Sequence, residues 1–303
     1  MEYTIKRKER KIISYGTMIS LPKIFLALPF FNTKRSGNQY NELTIKKFQN
    51  LNNIELKAEN LSIFNDFEYF LFIYKEMIRT RSKMIEFNNN DMLDKLQIAK
   101  NHRTTYYKDY VASVKKMAST NFSYEEEKAS KGFSFFASRK ITREKSSFVF
   151  TDEFVEFFNN IPELYEIDFR ILAKLKNEHQ RILYVMYVCN RKGEVNYFSV
   201  DMLKKRFLVS DKIPDKTFIY KIRKANIALE KLTLIESFEE EKEVSIVKGK
   251  KVVGRVTDKF KVRYSYESLY MKKKKDEKKE KPKEEENKTD FSAFDDEKNQ
   301  FIN

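Results

Sequence analysis

Groups able to act as nucleophiles, bases or metal ligands are few in this 303-residue chain, and their spacing assembles none of the usual sets. The two histidines, His102 and His179, fall in different copies of an internal repeat, so no His-x-His pair can hold a metal. The single cysteine, Cys189, excludes an intramolecular disulfide and a multi-cysteine metal cluster. Its apolar, helix-like surroundings read as those of a buried thiol in a reducing cytoplasm. Gly249 and Gly254 have the glycine spacing of a phosphate-binding loop, but Arg255 and Val256 stand where that loop needs Lys and Ser or Thr. That segment reads as a hairpin. Acidic pairs such as Asp152-Glu153 and Asp295-Asp296 read as solvated charge. The sequence therefore implies no catalytic residue, no metal and no cofactor. The chain is expected to work by binding, not as an enzyme.

The chemistry present in quantity is cationic. Sixty Lys+Arg face 45 Asp+Glu, a net charge of +15. From Met271 to Asn303 ten Lys balance ten acidic residues, so the rest of the chain carries the whole excess. A basic body with 41% hydrophobic and 15% aromatic residues folds, and points first to nucleic acid; the plainer alternative is a basic protein with no such partner. The longest apolar stretch, Ile24 to Phe31, contains Pro29 and is too short to span a bilayer. Lys23 precedes it and no small-residue cleavage site follows, so no signal peptide and no membrane partner are expected.

An internal repeat runs through the segments that carry these side chains. Asp91, Met92, Leu93 and Lys95 recur as Asp201, Met202, Leu203 and Lys205, 110 residues later. The same offset lays the helical pattern Tyr69–Ile78 on His179–Val188, and Thr105–Ala118 on Asp215–Ala228. Each copy reads helix, short strand, short helix, turn, long helix, hairpin, the order of a winged helix whose long helix enters the DNA major groove. The expected fold is α+β and mostly helical. It comprises a basic arm over 1–57, winged helices over 58–160 and 161–270, and a disordered mixed-charge tail over 271–303. The six glycines and five prolines suit helices with a few hairpins.

The long helices carry the candidate DNA-binding residues. In the second, Phe218, Ile222, Ala225, Leu229 and Leu232 form one buried stripe. Lys216, Tyr220, Arg223, Lys224 and Lys231 lie mostly off it, free for phosphates and base edges; Asp215 suits an N-cap. In the first, Tyr107, Tyr110 or Val111, Val114 and Met117 make the stripe. Arg103, Thr104, Thr105 and Lys108 cluster at the N-terminal end, the end a recognition helix presents to bases, and Lys115 follows. Lys248, Lys250 and Lys251 form a basic hairpin tip in the second copy, and Lys128 to Lys131 with Gly132 the counterpart in the first. Such tips read as phosphate contacts or as solvated turns.

Two tandem winged helices behind a basic arm resemble the replication initiator (Rep) proteins of theta-replicating bacterial plasmids. The segments carrying the likeness are Ser20-Leu21-Pro22 followed by Lys34-Arg35, Phe64 to Arg79, Thr104 to Met117 with the wing after it, and Arg181 to Leu208 leading into Phe218 to Leu234. The resemblance implies sequence-specific binding of double-stranded origin repeats (iterons), opening of adjacent AT-rich DNA, and recruitment of host helicase and primase. It also implies homodimers that repress their own promoter. The tail, with Phe291 and Phe294 among acids, reads as an unstructured end or as a peptide for a host helicase, primase or clamp. A winged-helix transcriptional regulator is the alternative reading.

Overall fold

The computed structural model describes residues 18–33, 40–126, 129–161, 163–191, 193–210, 212–247 and 250–264; strand residues 40, 41, 243–247, 250–253, 255 and 256 are described by backbone alone. The basic cluster at Lys6–Lys11, Lys34, Arg35, Lys128, Lys248 and the tail from Met271 lie outside the described residues. The described chain forms two compact units, 18–25 with 30–172, and 26–29 with 173–264.

Unit 1 begins with β1 (Met18–Pro22), α1 (Lys23–Ala27), β2 (Phe31–Asn32), the hairpin β3 (Tyr40–Phe48) and β4 (Leu51–Glu59), and β5 (Leu61–Ser62). Next come α2 (Asp66–Thr80), β6 (Met84–Asn88), α3 (Asn89–Lys95), a 3-10 turn (Lys100–His102) and α4 (Arg103–Ala118). Four strands, β7 (Asn121–Glu126), β8 (Ala129–Ser134), β9 (Phe136–Ile141) and β10 (Lys145–Phe150), lead to α5 (Asp152–Asn160), β11 (Leu164–Asp168) and α6 (Phe169–Lys174). Residues 18–25, 30–33 and 40–57 are built into this unit. β1 pairs antiparallel with β11, and β3 and β4 extend a sheet of order β3-β4-β7-β8.

Phenylalanine density explains the packing. Phe135 is fully buried, with the rings of Phe70, Phe154 and Phe25 centred 5.3, 5.5 and 6.0 Å away. Such tilted pairs add attraction beyond the area they bury. Phe122, Phe133 and Phe157 extend the cluster beneath β7 and β8.

Unit 2 contains α7 (Glu178–Asn190), β12 (Val195–Ser199), α8 (Val200–Phe207), α9 (Asp215–Lys231), β13 (Ser237–Val247) and β14 (Lys250–Arg263). Its sheet has the order β12-β14-β13, so the short strand pairs with the returning arm of the long hairpin. In unit 1 β6 pairs with β10 and β10 with β9, in the same relation. Local capping fixes the helix starts: Asn177 accepts from Gln180 N and Ser199 from Met202 N.

Several expectations are corrected. Among the described residues strands hold nearly as many residues as helices, so the chain is mixed α and β and the expected helical predominance is met only in part. The hairpin directly after α4 joins β4 through β7 and not β6, with Leu56 opposite Phe122, so the segment holding Lys131 and Gly132 is not the counterpart of the second hairpin. That counterpart is β9–β10. Asp215 is the first residue of α9 and Pro214 its cap, while the Asp215 carboxylate takes Lys204 at 2.5 Å. No helix of the described residues is long and apolar enough to cross a membrane.

Candidate nucleic-acid interface

At about 100° per residue, helix geometry decides which side chains share a face. On α9 the buried residues Phe218, Ile219, Ile222, Ala225, Asn226 and Leu229 occupy one side. Lys216, Tyr220, Arg223, Lys224 and Lys231 fall together within an arc of about 100° on the opposite side, and all five are exposed. Sequence reasoning grouped them correctly. Ile227 shares that arc and is 38% exposed, and Tyr220 is 49% exposed. The ammonium of Lys224 lies 4.7 Å from the Tyr220 ring centre, a cation–π contact that holds the charge over the face. Lys216 and Lys231 have no carboxylate partner among the described residues.

α4 is built alike. Tyr110, Ser113, Val114 and Met117 are buried, which settles the choice between Tyr110 and Val111. Thr104, Thr105, Lys108 and Lys115 are exposed and share one arc with Ala112 and Ser119. Arg103 does not belong to it. Its guanidinium turns back to the Asp94 carboxylate, so the structure separates it from the other candidates.

Two fixings hold α4 in place. The Asp66 carboxylate, 3% exposed at the start of α2, accepts from Ser62 N at 2.7 Å, from Lys116 Nζ at 3.1 Å and from the Ser113 hydroxyl. The Tyr69 hydroxyl donates to Tyr106 O at 3.0 Å. Breaking a buried charge network of this kind costs several kcal/mol, so α4 sits rigidly on α2.

The β9–β10 hairpin supplies cations that sequence reasoning missed. Arg139, Lys140 and Arg143 are exposed at and beside its turn, and none has a carboxylate partner among the described residues. The turn is tied to α4 and α3: the Tyr107 hydroxyl donates to Thr142 O at 2.7 Å, and buried Asn89 donates its side-chain amide to the same oxygen at 2.8 Å. Asn89 N also donates to Glu144 O at 2.7 Å. The signal was in the repeat itself, since carrying the 110-residue offset back from Lys248–Lys251 lands on Ser138–Ile141. In unit 2, Lys250 and Lys251 open β14 with only their backbone described.

His179 is half-buried. Its ring stacks on Phe207 at 5.3 Å, and burial, helped by Lys221, pushes its pKa down to about 4. Cys189 is buried, as expected. What the arrangement can do chemically is present cations and hydrogen-bond donors from two exposed helix faces, each on a unit that also carries a hairpin.

No protein-family model matches the chain, and no curated protein matches it significantly. A solved structure does: selenomethionine derivatives of domains 2 and 3 of RctB, at a TM-score of 0.52 and 12% sequence identity. The match covers 81% of this chain and 98% of that one.

Proposed function

We propose that this chain is a DNA-binding replication initiator of two winged-helix units, the neighbour RctB being itself a replication initiator. The single observation that carries the reading is the recurrence, in both units, of a long helix whose exposed face holds lysines without carboxylate partners among the described residues. α4 and α9 are then the recognition helices, with β9–β10 and β13–β14 as wings. Iterons in a plasmid origin are the expected sites. Opening of AT-rich DNA, self-repression as a dimer, tail-mediated docking of a host helicase, primase or clamp, and action by binding without catalysis or cofactor, in the cytoplasm, complete the proposal.

The first-unit wing gives a sharp expectation. Arg143→Ala should lower the slope of log K against log salt by about 0.9 on every duplex, because one phosphate contact releases about one counterion. A slope equal to wild type would remove β9–β10 from the interface. Initiation is tested by permanganate reactivity of thymines in AT-rich DNA beside the bound repeats. Reactivity that rises with protein concentration is the expected result. Tight binding at a single palindrome without any opening would favour a transcriptional regulator.

A further inference from the structure

Arg223 stands on the DNA-facing side of α9, yet its guanidinium is already engaged. Nε–H donates to one carboxylate oxygen of Glu240, and Nη2 donates to the other at 2.9 Å. This side-on pairing uses two of the five guanidinium N–H donors. The unused hydrogens include one on each terminal nitrogen, pointing together away from the carboxylate. They form the end-on fork that fits O6 and N7 of a guanine in the major groove.

Glu240 is itself anchored. It lies on β13 opposite Phe260 of β14, and its second oxygen also accepts the Thr257 hydroxyl at 2.9 Å. Thr257 is 7% exposed. The Arg223 hydrogen bond above all, helped by that of Thr257, holds the Glu240 carboxyl below its ordinary range, so it stays an acceptor. Tyr220 and Ile227, one turn to either side, flank the fork with exposed apolar surface. α4 has no equivalent, because Arg103 pairs with Asp94 off the exposed face.

A carboxylate beside a phosphate-binding face weakens non-specific binding through charge alone. Its presence there calls for a role that outweighs the repulsion. We infer that Glu240 is a positioning residue that presets the Arg223 fork, so that α9 reads a guanine edge in its target. The inference rests on the DNA-binding function proposed above.

The experiment uses the full chain and duplexes it selects from a random pool, with a scrambled duplex as the non-specific probe. Binding is measured by fluorescence anisotropy for wild type, Glu240→Gln, Thr257→Val and Arg223→Lys. Each guanine of the selected site is replaced in turn by 7-deazaguanine, which lacks the N7 acceptor. One position is expected to cost wild type about tenfold. Glu240→Gln and Arg223→Lys are expected to lose about tenfold on the selected duplex and to become insensitive at that position. On the scrambled duplex Glu240→Gln should bind as well as wild type or better, the sign opposite to its effect on the selected one. Thr257→Val should shift the same way by less, and carries the test if Glu240→Gln fails to fold by circular dichroism. Equal or tighter binding of Glu240→Gln to both duplexes, with wild type still selecting a sequence, would overturn the inference and leave the proposed function standing. A wild type that selects no sequence would overturn both.

Discussion

Replacing Lys216, Lys224 and Lys231 together by alanine is expected to weaken binding to any duplex by about 500-fold at 0.1 M salt. Each lysine that neutralises one phosphate contributes about 0.9 to the salt slope, so three contribute about 2.7, or about 2.7 decades at 0.1 M relative to 1 M. The side chains are exposed and lie opposite the buried stripe of α9, and alanine favours helix, so the fold should persist. The check is anisotropy across a salt series on selected and scrambled duplexes, with circular dichroism as the control for folding. A loss confined to the selected duplex would make these lysines base readers. An unchanged slope would take α9 out of the DNA interface altogether.

Phe135→Ala should give the largest loss of stability. The side chain is fully buried, and six other phenylalanine rings, those of Phe25, Phe30, Phe70, Phe133, Phe136 and Phe154, lie within 6.5 Å of its ring centre. Removing a buried ring leaves a cavity that close-packed neighbours fill poorly, at a cost of about 3–5 kcal/mol. For a unit of this size that lowers the midpoint of thermal unfolding by about 6–20 °C. Calorimetry is expected to show the transition of unit 1 falling while that of unit 2 holds. A shift of a degree or two would mean that the aromatic cluster is looser than its geometry indicates, and a common shift of both transitions would mean that the units unfold as one.

Helix faces were legible in the sequence because they are encoded locally. The steps from Phe218 to Leu229 and from Tyr110 to Met117 mark the buried sides, and the candidates opposite them fall on shared arcs. The order of helices α2 to α4 and α7 to α9 was legible for the same reason. Strand partners were not, because pairing is decided far along the chain. Nothing near Phe122 announces Leu56 as its neighbour, so by sequence alone the first hairpin after α4 reads as a wing. The pairing of Arg103 was not legible because its carboxylate, Asp94, lies beyond a turn in the preceding helix. Glu240 reads as one of three consecutive acids, Glu239 to Glu241, and only the register of β13 on β14 aims it at Arg223.

On the function proposed above, the exposed faces of α4 and α9 read DNA sequence. The measurement that tests it most directly is anisotropy binding of the full chain to duplexes tiled across the DNA flanking its gene, each against a scrambled control at two salt concentrations. A repeat-containing tile is expected to be preferred by about a thousand-fold or more. Equal binding to every tile, falling steeply with salt, would contradict it.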